Sequence, residues 1–369
     1  MLGARGVFVA WLALLGSACE APGVLVGGGG ASAWRPAPCD DEAALAAWSR
    51  AREAISRGDD RAALPLLQQA IAGCPELVRA HCAYQDAARR LGGVAMEEMV
   101  ARYASAPASA APLATYLRAR LAETAYAQAN DLTRLLEQHP GFAWARLSLA
   151  RVDRGQGRLA EALRGFERAR STAPDLVEAS LERAQVLVEL GRAREAARDY
   201  EAYLEARPRD LVAVRELVSL LLYRLGRVDA ATAWIERLEA LGDRSVALRM
   251  DRAAALWRSG RPRPAAEAYL TILEEAPSEA RAALNIGLIY YEVVPRDELS
   301  RRKFWPKARD AFRIFLANTR ADGADGDDGD ERFERTWAVP YRLRRIAELL
   351  GPAPPGPPQP ASLVWPADG

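Results

Sequence analysis

EASLERAQVLVELGRAREAARDYEAYLEARP, residues 178–208, decides the fold. Small and apolar residues recur at helical spacing up to Leu190, where Gly191 interrupts the run. A second striped run continues to Ala206, and Pro208 ends it. Glycine takes the left-handed conformation in which a chain leaves a helix and reverses, and proline cannot continue a helix because it lacks the amide donor. The stretch therefore predicts two antiparallel helices joined by a tight turn. Such a hairpin cannot cover its own apolar faces and needs neighbours.

The neighbours are present on both sides. Gly157, Gly191, Gly226 and Gly260 are 34, 35 and 34 residues apart, Gly58 and Gly92 are 34 apart, and 65 residues separate Gly92 from Gly157. Pro140, Pro174 and Pro208 repeat the 34-residue step. Small residues fall where two helices must touch: Ala51, Ala150, Ala184, Ala253 and Gly287 on first helices, and Ala63, Ala162, Ala196, Ala231, Ala265 and Ala308 on second helices. One turn later stands a large residue: Leu67, Phe166, Tyr200, Ile235, Tyr269 or Phe312. A fixed period of this length is the mark of stacked helix–turn–helix units sharing one core.

A small residue in the first helix, then Gly, then Ala-x-x-x-aromatic, then Pro resembles the tetratricopeptide repeat (TPR). The best copies are 143–176, 177–210 and 246–279, with good ones at 44–77 and 212–245. The copy at 78–111 carries Glu97 where the small Ala belongs, and 109–142 is short and has no Gly at its turn. The copy from 280 has about nine extra residues around Pro295–Lys303. That insert, with Arg301, Arg302 and Lys303 together, is expected to loop out into solvent, either as a specificity loop or as a spacer. The resemblance implies an all-α, right-handed α-solenoid of about seven hairpins over residues 41–318. It implies a scaffold for protein partners, with one side of each first helix lining a concave groove. Carried over unit by unit, the groove positions include Trp48, Arg52, Trp144, Arg151, Arg154, Gln185, Tyr223, Trp257 and Tyr291, beside Leu45, Leu147, Glu178 and Leu181. Aromatic residues mixed with arginine have the composition of interface hot spots. The family's lysine–asparagine clamp for a C-terminal carboxylate is not matched, since those slots hold Leu147, Arg151 and Glu182.

Residues 1–19 read as an export signal: Arg5, the apolar run Val7–Leu15 (VFVAWLALL), then Gly16-Ser17-Ala18-Cys19. The junction resembles the lipobox of bacterial lipoproteins, which implies lipidation at Cys19 and a membrane anchor. Gly16 stands where that family usually has Leu, and conventional cleavage near Ala18 is the other reading. Residues 20–40 read as a flexible tether, 319–339 as an acidic Gly-rich linker, 340–350 as a C-terminal capping helix and 351–369 as a Pro-rich disordered tail. In the linker no register puts acidic residues and Gly where a calcium loop needs them.

An exported chain meets an oxidising compartment, so a disulfide from Cys39 to Cys74 or to Cys82 is expected at one end of the stack. A metal site is not, because there is no CxxC pair and His81 is the sole nearby imidazole. The 50 Lys+Arg balance 49 Asp+Glu, which speaks against nucleic acid as the partner. Lys303 and Lys307 are the only lysines and His81 and His139 the only histidines. No GxSxG, HExxH, GxxxxGK[ST] or contextual GxGxxG occurs, so no catalytic residue, cofactor or small-molecule substrate is expected. The functional expectation is a non-enzymatic scaffold, in the periplasm or on the outer membrane, holding proteins of a bacterial envelope complex. The alternative is a subunit of an envelope enzyme complex with a carboxylate site that spacing does not mark.

Overall fold

The computed structural model describes residues 36, 38–104, 112–293, 297–321 and 330–366. The expected signal, Cys19 and most of the tether lie outside the described residues. Among those described there are α-helices and no strand, so the chain is an all-α solenoid. Eight hairpins follow in order, one more than the count of about seven. They are α1 (Glu42–Ser56) and α2 (Asp60–Gly73); α3 (Val78–Leu91) and α4 (Gly93–Ala104); α5 (Pro112–Ala119) and α6 (Ala125–Gln138); and α7 (Ala143–Gly155) and α8 (Leu159–Thr172). Then come α9 (Glu178–Glu189) and α10 (Ala193–Ala206); α11 (Leu211–Ser219) and α12 (Val228–Ala240); α13 (Val246–Arg258) and α14 (Pro262–Glu275); and α15 (Ala280–Leu288) and α16 (Glu298–Ala321). A last helix, α17 (Asp330–Leu350), packs on α16.

The small-and-large pattern is the core. Ala63, Ala162, Ala196, Ala231, Ala265 and Ala308 are buried, and so are Leu67, Phe166, Tyr200, Ile235, Tyr269 and Phe312. Apolar clusters run on from hairpin to hairpin, as when Tyr84, Tyr116, Leu132 and Phe142 join hairpins 2, 3 and 4. Each such aromatic ring removes roughly 150–250 Å² from water, so stacking supplies the stability that a lone hairpin lacks.

Glycine serves two different ends. At Gly191 φ is +72° and a Cβ would meet nothing, so the backbone conformation is what demands glycine. Gly191 N–H reaches Val188 O and Arg192 N–H reaches Leu187 O, the paired bonds that close a helix C-terminus around a left-handed residue. At Gly287 the demand is for space, since a Cβ would lie 2.5 Å from the Phe312 ring.

The single 35-residue step also has a cause. In hairpin 6 the end of the first helix widens into a π turn, Leu220–Arg224, and Arg227 N–H reaches back to Leu221 O instead of closing one residue sooner. One extra residue is absorbed in the wider turn, and Gly226 still lands at the reversal.

Three expectations need correction. The insert does not loop out over its described part. The Asp297 carboxylate accepts from Ser300 N–H at 2.7 Å and caps α16, so Arg301, Arg302 and Lys303 lie on its first two turns. The 319–339 segment is not all linker, because α16 runs to Ala321 and α17 begins at Asp330, ahead of the expected cap at 340. The 351–369 segment is not a free tail as far as residue 366, because Leu363 is fully buried and Trp365 packs into the core of hairpins 7 and 8.

Candidate functional site

The 34-residue period puts Leu45 and Arg79 at equivalent positions of hairpins 1 and 2, and Trp144 and Glu178 at equivalent positions of hairpins 4 and 5. These four residues converge at one edge of the solenoid. A cavity of about 400 Å³ opens there, lined by Leu45, Leu77, Val78, Trp144 and Leu176, with Pro36 and Pro38 on the incoming chain. No residue of α5 or α6 lines it. Among the described residues, the lining comes from hairpins 1, 2 and 4, from the loop between hairpins 1 and 2, and from the loop that leads into hairpin 5.

Arg79 braces that cavity. Its Nε donates to Glu178 Oε1 at 2.9 Å and its Nη2 to Glu178 Oε2 at 3.0 Å, a bidentate pair joining hairpin 2 to hairpin 5. The same Nη2 donates to Asp175 O at 2.9 Å, and the guanidinium lies 5.4 Å from the Trp144 ring centroid. Burial works to raise the Glu178 pKa, but the hydrogen bond and charge of Arg79 outweigh it and hold the carboxyl below its ordinary value. Among the described residues Arg79 is the only basic one lining the cavity, while Glu76 and Asp175 also line it. The entering chain is fixed by a disulfide from Cys39 to Cys74, with Cα atoms 5.6 Å apart. Cys82 stays a buried thiol beside Tyr116 Oη at 3.7 Å, and burial raises its pKa.

The other residues expected to line a groove fall into separate clusters. Arg151, Arg154 and Gln185 come together between hairpins 4 and 5. Arg151 pairs with Glu182 at 2.7 Å, and Arg154 donates to Gln185 Oε1 at 2.7 Å and to Glu189 at 2.8 Å. Trp48 is half-buried, with Arg52 over its ring at 5.9 Å. Tyr223 is half-buried and donates to Asp251 at 2.8 Å with Arg258 over its ring, while Trp257 packs against the C-terminal core. Tyr291 stacks on Trp305 at 5.0 Å and 17°. Arg151 and Arg154 of hairpin 4 thus spend their charge on carboxylates of hairpin 5, while other arginines pair within their own hairpin, as Arg249 does with Glu275.

Reading helix faces alone missed Arg79 and Val78 on the first turn of α3, and Leu77 and Leu176 just ahead of helices. Arg79 was within reach, since it stands one period after Leu45. Its partner three hairpins away was not, because nothing in the sequence states that hairpins 2 and 5 meet. His81 is a structural residue: Nε2 pairs with Pro75 O at 2.8 Å and Nδ1 with Tyr103 Oη at 2.8 Å. Since a carbonyl only accepts, Nε2 carries the proton and Nδ1 accepts from the tyrosine, and burial lowers the pKa of the ring. Among the described residues no three of His, Cys, Asp and Glu are grouped to hold a metal ion.

Solved structures with similar helical stacks include YrrB, described as a TPR protein with an unusual peptide-binding site. It is 20% identical, covers 52% of this chain and 99% of its own, and has a TM-score of 0.41. Pseudomonas aeruginosa PilF is 15% identical over 64% of this chain and 93% of its own, with a TM-score of 0.37. The Cut9–Hcn1 hetero-tetramer of the APC/C is 13% identical over 81% of this chain and 55% of that one, with a TM-score of 0.48. No family model matches the sequence, and no curated protein matches it.

Proposed function

We propose that the chain is a non-catalytic scaffold, exported and tethered by a lipid on Cys19, that holds partner proteins of a bacterial envelope complex. The observation that carries the reading is the cavity walled by Trp144 and braced by Arg79. It is apolar, open to an entering side chain, and bordered by the carboxylates of Glu76 and Asp175. An extended protein segment that seats one apolar side chain there, with a basic residue beside it, matches both features. The groove clusters at Arg151–Gln185 and Tyr223 would extend the contact along the first helices. Export is supported by the signal-like residues 1–19 and by the Cys39–Cys74 bridge, which suits an oxidising compartment. No helix among the described residues is long and apolar enough to cross a membrane.

The test of the cavity is capture of solubilised envelope proteins by the immobilised full chain. Trp144→Ala removes one wall and is expected to weaken the recovered partner about ten-fold or more, the size of a hot-spot loss. Undiminished recovery by Trp144→Ala and by Leu176→Asp removes the cavity from the proposal. The anchor is tested by fractionation: Cys19→Ser is expected to move the protein from the membrane to the soluble envelope fraction, and equal partitioning of variant and parent refutes lipidation.

A further inference from the structure

The last hairpin departs from the repeat by addition. Second helices elsewhere start three residues before their small alanine, as Leu159 does before Ala162 and Ala193 before Ala196. In hairpin 8 that alanine is Ala308, yet α16 starts at Glu298, about two turns early. The added turns bring Phe304 into the core. Stack termination is handled separately by α17, whose Val339 and Ile346 are buried.

The chain after α17 lies in the slot so formed. A 3-10 turn, Pro360–Leu363, sits on α14 and α16. Leu363 is its buried anchor, and Trp365 packs against Tyr290 at 5.6 Å and Phe304 at 5.2 Å. The polar contacts run mostly one way. Tyr290 Oη donates to Leu363 O at 2.7 Å, Lys307 Nζ to Ser362 O at 2.8 Å, and Arg313 to Pro354 O at 3.4 Å and to Gly356 O. Only the Ser362 hydroxyl donates back, to Asp310 Oδ2 at 3.2 Å. Residues 352–357 stay exposed.

This is the complement of a Pro-rich backbone. Proline has no amide hydrogen, so such a segment offers carbonyls and few donors. Sites that read it combine an aromatic slot with side-chain donors. We propose that α14, α16 and the π turn Ile289–Val293 form a peptide-binding site for Pro-rich segments carrying a leucine and a tryptophan two residues apart. The chain's own residues 357–366 (PPQPASLVWP) hold it in cis, and a partner protein presenting the same chemistry displaces them. The site is independent of the N-terminal cavity and of the function assigned to it.

The test uses the full chain labelled with 5-fluorotryptophan, with the Trp365 fluorine resonance assigned by Trp365→Phe. Titration with synthetic PPQPASLVWP is expected to move that resonance saturably toward the free-peptide position. Half-displacement is expected at about millimolar peptide, because a short tether gives a local concentration of about that size. The same peptide with Ala in place of its leucine and tryptophan leaves the resonance where it was. Leu363→Asp in the chain empties the site, and the added peptide then binds about ten-fold tighter or more. A Trp365 resonance that stays fixed up to about 10 mM peptide, well above the tether's effective concentration, overturns the proposal and leaves the tail a static cap. If Leu363→Asp loses helical structure, the titration of the parent chain decides alone.

Discussion

Hairpins 3 and 8 break the same repeat in opposite directions. Hairpin 3 falls in the short step of the repeat, where 65 residues instead of two 34-residue periods separate Gly92 from Gly157, and no described residue of α5 or α6 lines the cavity beside it. Hairpin 8 has gained turns on its second helix, and the slot they create is filled by the chain's own end. A regular hairpin spends most of its apolar surface on the next hairpin, and where the period fails apolar surface is left over, open at one place and covered by the chain's own end at the other.

That contrast can be broken from either side. The largest effect is expected at the N-terminal edge. Replacing Cys39 and Cys74 by Ser frees a chain whose ends are 35 residues apart, which costs about 3–4 kcal/mol on the loop-entropy scale. Hydrogen exchange should show the loss in α1 and α2 and spare α13 to α16, because each unit touches mainly its neighbours. A uniform loss of protection would mean that the two ends do not behave separately. At the other end, Gly287→Ala drives a Cβ into the Phe312 ring and is expected to cost about 2–3 kcal/mol by overpacking, read as a drop in denaturant midpoint at unchanged slope.

The smallest effect is the brace. Arg79→Met removes the bidentate partner of Glu178, leaving only the longer approach of Arg207 at 3.7 Å, and is expected to cost about 1–2 kcal/mol near neutral pH. Glu178 is held below its ordinary pKa in the folded chain, so the brace contributes fully above the unfolded carboxyl value. That contribution is lost as pH falls through the lower folded value. The stability gap between parent and Arg79→Met should therefore close in acid. A gap that stays constant down to pH 3 would show that the pair does not brace the cavity.

Much of this architecture could be read before any coordinates. Gly191 and Pro208 mark a reversal and a stop whatever surrounds them, because φ and a missing amide are local properties. Ala162 and Phe166 announce a close helix contact for the same reason. The candidate site was legible only in part. Trp144 stood out by position and type, but its cavity depends on Arg79 meeting Glu178 across 99 residues of sequence. Composition also misled at the C-terminus. Seven prolines between 351 and 369 suggest a chain that cannot pack, yet Leu363 and Trp365 supply the anchors and side-chain donors satisfy the carbonyls.

One residue beside that tail has a practical consequence. Forty-eight of the 50 cationic side chains are arginine, and the two lysines, Lys303 and Lys307, are one turn apart on α16. Lys303 is exposed, whereas Lys307 is half-buried under the Ser362 carbonyl, and burial lowers its pKa. Amine-directed chemistry at neutral pH therefore finds two addresses among the side chains of the whole protein. If the tail leaves as proposed, Lys307 loses the Ser362 carbonyl that holds its amine and its labelling should rise relative to that of Lys303, so the ratio of the two is a built-in gauge of tail occupancy that needs no introduced probe.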